Sequence, residues 1–253
     1  MRILYLGDIV GEKTIQVLKD NLDAIKKEYK INMVFANAEN VTKGKGLSLK
    51  NYKEIKSLGI SAISMGNHTF SKSEIKEYIN DATIARPANL NTSYGKNVLY
   101  IKYNDKKIAV VNMMGRVFTN AILDCPFKTM DKLLEEIEAD HIIVDFHGEA
   151  TSEKKAFFYD FSGKVDAVLG THTHTQTSDE QVHNNTCFIS DMGMCGAYNS
   201  ILGDDIADVI TRFRTGMYEP LKVCDDTEYL IQGVILDLGT KNTISRLNKI
   251  IKL

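Results

Sequence analysis

Cysteine is scarce in this chain and has no pattern. Cys125, Cys187, Cys195 and Cys224 stand far apart with no CxxC pair among them, which argues against a zinc ribbon or a disulfide framework. They read as reduced, mostly buried thiols of a cytoplasmic protein. An excess of either charge is missing as well. The formal net charge is −2 and no basic block occurs, so general affinity for a nucleic-acid backbone is not expected. No apolar run approaches the ~18 residues that suggest a membrane span. The stretch from Met1 to Leu6 is too short for a signal h-region before Asp8 interrupts it. Repeats, low-complexity tracts and linkers are absent, which predicts one domain across residues 1–253. The remaining composition, 43% hydrophobic and 25% charged, suits a globular chain with a sizeable core.

What is present is an alternation of short apolar runs and amphipathic stretches. Ile3 to Leu6 ends at Gly7-Asp8, Met33 to Ala36 runs into Asn37-Ala38-Glu39-Asn40, and Ile60 to Met65 ends in Gly66-Asn67-His68. Each run reads as a buried, parallel-type strand. Ile15, Leu18, Leu22 and Ile25 recur at helical spacing and predict a helix over 12–29. Further helices are predicted over 48–58 and over 71–80, the latter with Ser71 as N-cap and Glu74 closing a capping box. This order predicts a layered α/β fold with a mainly parallel sheet, in which functional groups gather at the carboxyl ends of strands. After a loop at Arg86-Pro87-Ala88-Asn89, Val98 to Tyr103 and Lys107 to Met113 flank an Asn104-Asp105 turn. Residues 114–128 read as irregular, 129–138 as helix, His141 to Phe146 as strand and 152–161 as helix. Val165 to Leu169 and Cys187 to Ser190 read as strands, 205–213 as a short helix, and Tyr229 to Leu238 as a late strand ended by Gly239.

The strand at Val165 to Leu169 delivers Gly170-Thr171-His172-Thr173-His174. Two His at i and i+2 point the same way from an extended backbone, which makes a pincer for a metal ion. Asp8, Glu39, Asn40, Asn67 and His147 stand at the ends of other apolar runs, and with His172 and His174 they make seven O and N donors. That is too many for one tetrahedral site and suits two adjacent ions sharing a donor, for which a carboxylate is the natural bridge. No thiolate is among them, and mixed imidazole and oxygen ligation suits Mn, Fe or Zn. Plainer readings exist: Asp8 as a helix cap, Glu39 and Asn40 as loop residues, Asn67 and His147 as turn residues. The recurrence of donors at successive strand ends weighs against them. His141 reads as structural and His183 as an exposed turn. Lys43-Gly44-Lys45-Gly46 lacks the GxxxxGK[ST] spacing of a phosphate-binding loop and reads as a mobile loop near the site. Gly193-Met194-Cys195-Gly196 reads as a backbone turn beside it, with no catalytic role for Cys195.

Gly7-Asp8, Gly66-Asn67-His68 and Gly170-Thr171-His172-Thr173-His174, in that order, resemble the calcineurin-like metallophosphoesterase superfamily. Asn37-Ala38-Glu39-Asn40, Arg86-Pro87-Ala88-Asn89, the stretch from Asp145 to Lys154 and that from Thr173 to Glu180 resemble the bacterial YmdB-type phosphodiesterases. The resemblance spans essentially the whole chain. It implies a four-layer α/β/β/α sandwich, two divalent transition-metal ions, and hydrolysis of small phosphodiesters, with 2′,3′-cyclic nucleotides as the expected substrate. Carried over residue by residue, one ion takes Asp8, Glu39, Asn40 and His174. The other takes Glu39, Asn67, His147 and His172. Glu39 bridges, and His68 stands beside the ions as general acid. Two departures from the wider superfamily agree with the YmdB-type branch. The usual Asp-x-His is Asp8-Ile9-Val10, and the usual bridging Asp is Glu39. Asn40 looks like the substitute ligand, and its neutral amide oxygen favours Fe(II) or Mn(II), with Zn the alternative. A water between two dications ionises near neutral pH, and His68 protonates the leaving alkoxide. A phosphomonoesterase and a nucleotide-sensing regulator are the competing readings; the complete donor set favours catalysis. A homo-oligomer is left open.

Overall fold

The computed structural model describes residues 1–218 and 220–253. Its first half alternates as the periodicity predicts. Strands β1 (Arg2–Val10), β2 (Met33–Asn40), β3 (Ile60–Ser64) and β4 (Ile84–Ala85) are parallel, linked by helices α1 (Glu12–Tyr29), α2 (Leu49–Ser57) and α3 (Ile75–Tyr78). A hairpin of β5 (Val98–Tyr103) and β6 (Lys106–Met114) turns at Asn104, which takes up φ +53°. Then come α4 (Pro126–Glu136), β7 (His141–His147), α5 (Thr151–Phe161) and β8 (Ala167–Thr171). Strands β9 (Gln181–His183), β10 (Thr186–Ile189) and β11 (Met194–Ala197) follow, then α6 (Ile206–Thr215), β12 (Glu228–Asp237) and β13 (Thr243–Lys252).

These strands form two sheets. One runs in the order β13-β12-β11-β1-β2-β3-β4, the other β5-β6-β7-β8-β10-β9. Three apolar layers bind them into the expected α/β/β/α sandwich. The alternation along β1 shows how: Leu4 and Leu6 pack towards α1 and α2, while Ile3 and Tyr5 pack towards the second sheet. In β7, Ile143 faces the first sheet, and Val144 and Phe146 face the helical side with Phe157, Phe158 and Phe161. Strands buried on both faces must be apolar throughout, and each fully buried side chain contributes roughly 1.5–3 kcal/mol. Among the described residues, no helix is long and apolar enough to cross a membrane.

Several elements differ from expectation. β1 continues through Asp8 to Val10, because β11 pairs alongside it at Asp8 and Ile9. The stretch read as a turn at 193–196 is therefore largely a strand. The helix expected over 71–80 shrinks to Ile75–Tyr78, and Ser71 does not cap it; its hydroxyl lies 3.3 Å from His68 Nδ1. α4 begins at Pro126, the favoured first-turn position for proline. α6 is capped by Asp205, whose carboxylate accepts from Ala207 N and Asp208 N, and extends to Thr215. β9 and β13 have no apolar run to announce them. β13 exposes most of its length and buries Leu247.

Candidate metal centre

The carboxyl ends of parallel strands from both sheets meet at one edge of the sandwich. Asp8 lies near the end of β1, Glu39 and Asn40 end β2, Asn67 and His68 follow β3, His147 ends β7, and His172 and His174 follow β8. β1 and β2 slip in register between Leu6 and Val10. Such irregularities re-aim side chains and are common beside active sites. The glycines before these donors permit close approach. A Cβ on Gly66 would lie 2.4 Å from His147 Nε2 and 2.6 Å from Glu39 Oε2, and one on Gly170 would lie 1.7 Å from Ser190 O.

The donors fall into two adjoining groups. In the first, His147 Nε2 lies 2.9 Å from Glu39 Oε1, 2.9 Å from Asn67 Oδ1 and 3.1 Å from His172 Nδ1. Candidate ligand atoms of Glu39, His147 and His172 all lie within 4.8 Å of one another. In the second, Asn40 Nδ2 lies 3.4 Å from Asp8 Oδ1 and 3.1 Å from His174 Nε2, and His174 Nε2 lies 3.8 Å from Asp8 Oδ1. Here the amide nitrogen of Asn40, not its oxygen, faces the other two. Turning the amide by half a revolution would exchange them. Glu39 Oε2 accepts from His68 N at 2.7 Å, and Glu39 lines one cleft with Asn40, His68, His172 and His174. All eight residues singled out in the sequence are thus together. One expectation about their geometry fails: the His pair is not extended. His172 and His174 have φ of +103° and +60°, so their rings enter from different sides. His172 turns to His147 and to Glu149 Oε2 at 3.2 Å, His174 to Asp8 and Asn40.

Hydrogen bonds behind the rings fix their tautomers. Thr171 Oγ1 donates to Asp145 Oδ1 at 2.5 Å and so accepts from His147 Nδ1 at 2.9 Å. Asp145 also accepts from Ser64 Oγ, and from Asn37 Nδ2 at 3.1 Å. Burial raises its carboxyl to about 6, against His147 and the hydroxyls of Ser64 and Thr171, which lower it. With a proton on Nδ1, the Nε2 lone pair of His147 faces a carboxylate, an amide oxygen and another imidazole. Such a set of acceptors suits a cation. A proton on Nε2 does the same work: burial lowers His147, but the facing Glu39 outweighs it and raises the imidazole, while Glu39 itself is held low. Burial likewise raises Asp8 and, with His147, lowers His172 to about 3. His174 Nδ1 donates to the Leu202 carbonyl at 2.8 Å, which leaves its Nε2 lone pair towards Asp8. Buried carboxylates and inward-facing imidazole nitrogens therefore fit two adjacent divalent cations.

The sequence reading overlooked the supports. Lys154 is fully buried, bonds Asp191 Oδ2 at 3.1 Å and donates to Thr171 O at 2.9 Å. Asp191 in turn accepts from Thr173 N and Gly193 N, which pins the His172–His174 turn. A signal existed: Lys154, Phe157, Phe158 and Phe161 share one helical face, so the lysine interrupts an apolar stripe. Cys195 is buried and pushed up to about 12, so it offers no thiolate. Two clefts flank the donors. One, of about 170 Å³, is lined by Asn67, His147, His172, Glu149 and Phe118. The other, of about 200 Å³, is lined by Glu39, Asn40, Lys45, His68, His174 and Leu202.

Comparison with known proteins shows the family. The chain is 41% identical over 243 residues to a 2′,3′-cyclic-nucleotide 2′-phosphodiesterase of Bacillus subtilis (strain 168), covering 94% of this chain and 91% of that one. The crystal structure of a hypothetical protein from Thermus thermophilus superposes with a TM-score of 0.93 at 33% identity, over 99% of both chains. That of a novel phosphatase from Mycoplasma pneumoniae gives 0.90 at 35% identity, over 98% of this chain and 93% of the other. The family model described as YmdB-like protein matches residues 4–250, and the chain therefore belongs to the YmdB-like family.

Proposed function

We propose that this protein is a metal-dependent hydrolase of small phosphodiesters, with 2′,3′-cyclic nucleotides as substrates. The observation that carries the reading is the gathering of Asp8, Glu39, Asn40, Asn67, His147, His172 and His174 into two adjoining groups at one edge of the sandwich, with His147 Nε2 facing Glu39, Asn67 and His172. The Bacillus subtilis relative, named for that activity, supports the substrate. Asp8, Asn40 and His174 would hold one ion, Asn67, His147 and His172 the other, and Glu39 both; Fe(II) or Mn(II) suits the set, with Zn(II) the alternative. When bound, two such ions lower the pKa of water and neutralise phosphate oxygens.

The chain's own residues do the rest. Thr171 and Asp145 orient His147, and the Leu202 carbonyl orients His174. His68 is anchored by its backbone N–H on Glu39 and by Ser71 at Nδ1, and it lines the same cleft as Glu39 and His174. In this reading it protonates the leaving oxygen as general acid. The net charge of −2 offers no track for a long polynucleotide. The test is metal analysis of the purified protein combined with a panel of cyclic nucleotides, linear diesters and monoesters. A 2′,3′-cyclic nucleotide should be turned over fastest. Faster hydrolysis of long RNA or of nucleoside monophosphates, or full activity without a divalent cation, would overturn the proposal.

A further inference from the structure

Nine described non-glycine residues have positive φ. Four stand where this is ordinary: Lys30 caps α1, and Asn104, Asn184 and Asn185 turn hairpins. The other five, Lys43, Phe118, His172, His174 and Leu202, line the two clefts that flank the metal centre. Backbone strain of this kind gathers at functional sites.

Leu202 is the most informative of the five. Ile201 and Asp204 exchange two backbone hydrogen bonds of 3.0 Å, so Leu202-Gly203 is a two-residue hairpin loop, with φ of +57° and +97°. That is the pattern of a type I′ turn, which favours Asn, Asp or Gly at its first position and has Asn-Gly as its preferred pair. A leucine there is unfavourable because its Cβ crowds the following carbonyl. The turn has a task that needs no leucine: its 202 carbonyl accepts from His174 Nδ1, as any residue's would. Gly203 closes on Val10, where an added Cβ would come within 2.6 Å of Cγ1. The Leu202 side chain contributes to neither contact. It is 48% exposed and lines the cleft that also contains Glu39, His68 and His174.

We infer that Leu202 is a specificity-determining residue, the apolar wall against which the nucleoside of the substrate packs. The inference rests on the phosphodiesterase reading for the place of the phosphate. The leaving oxygen belongs to the ribose, and His68 must reach that oxygen. The nucleoside therefore enters the cleft of His68, where Leu202 and the half-buried Leu221 are apolar and Lys43 and Lys45 are the cations.

The test uses the Mn(II)-loaded full chain as wild type, Leu202→Asn and Leu202→Met. Thermal midpoints are measured, with binding of adenosine 3′-monophosphate and of inorganic phosphate. Leu202→Asn should melt at the wild-type temperature or above, because it creates the pair preferred in this turn. Its affinity for the nucleotide should fall roughly five- to tenfold, while phosphate binding stays within about twofold. Leu202→Met should restore the nucleotide affinity. Unchanged nucleotide affinity in Leu202→Asn, or equal losses for both ligands, would overturn the inference, since the turn would then act only through His174. If the nucleotide binds in this Leu202-dependent way but its 2′,3′-cyclic precursor is not hydrolysed, the proposed activity falls and the role of Leu202 stands.

Discussion

At the scale of single residues, the roles proposed for His68 and Glu39 separate chemistry from metal binding. His68 touches the donor set through its backbone, so His68→Ala should keep the metal content and lose turnover by roughly 10²–10⁴-fold. The loss should shrink for a nitrophenyl ester, whose leaving group needs no proton; equal losses on both substrates would reject the acid role. Burial and the nearby Lys45 lower the His68 imidazole against the pull of Glu39. A general acid works protonated, so the alkaline limb of kcat/KM should lie below the ordinary imidazole value of about 6.5 and vanish in His68→Ala. Glu39 is different: it is buried and reaches His147 through one oxygen and the His68 N–H through the other. Glu39→Gln removes the charge that offsets a cation there, so metal retention and hydrolysis should fall together. Full metal content with wild-type turnover would remove the dinuclear reading.

Hydrogen-bonded carboxylates tie the strands together at the opposite end of the second sheet from the metal centre. Asp166, just before β8, accepts from Ile142 N at 2.8 Å and His141 Nδ1 at 3.0 Å at the start of β7. It also accepts from Asn242 Nδ2 at 2.9 Å, in the connection between β12 and β13. His141 is thus structural, as its place before an apolar run suggested. Burial raises the Asp166 carboxyl, but these three donors outweigh it and hold it below the usual range. A carboxyl with a depressed folded pKa contributes stability above its unfolded value of about 3.9, and loses it as pH falls through the folded value. Asp166→Asn should cost about 1–3 kcal/mol at pH 7. Urea unfolding at pH 7 and below pH 4 should show the gap between variant and wild type closing in acid. A gap that stays constant would mean the carboxylate charge contributes nothing.

The whole molecule places its polar burden where two sheets meet. Asp8, Glu39, Asp145 and Asp191 are all buried at that edge, and Lys154 is the one fully buried lysine among the described residues. Concentrated negative charge of this kind is costly without cations. A ligand that binds only the folded state stabilises it by mass action, by about 2.7 kcal/mol at a hundredfold excess over Kd. Removing divalent metal with a chelator should therefore lower the melting temperature by roughly 5–10 °C in a chain of this size, and Mn(II) should restore it. A melting temperature indifferent to chelation would show that the edge tolerates its charges without metal.

Much of this was determined by the sequence alone. Apolar runs such as Ile3–Leu6 and Ile60–Met65 must be buried on both faces, so the alternation of strands and helices, the layered α/β class and the polar residues at the strand ends were legible by local pattern, whereas the four-layer sandwich followed from the family resemblance and the order of strands within each sheet from the structure. The helix over 12–29 was legible for the same reason, through its 3.6-residue period. Only the tertiary structure decided what depends on distant partners. β13 is a polar edge strand held by pairing to β12 over its whole length, and no local pattern marks it. The predicted helix at 71–80 is reduced to Ile75–Tyr78: Ser71 turns to His68 rather than capping, and Ile75, Lys76 and Glu77 bond three residues back in tight turns. The His172–His174 turn leaves the extended conformation because Asp191, supported by Lys154, captures Thr173 N from another strand end. Leu202 reads as an ordinary leucine until the turn at 201–204 is seen closed on Val10 and His174. Local periodicity reports which residues are buried; long-range hydrogen bonds decide where the backbone bends to aim them.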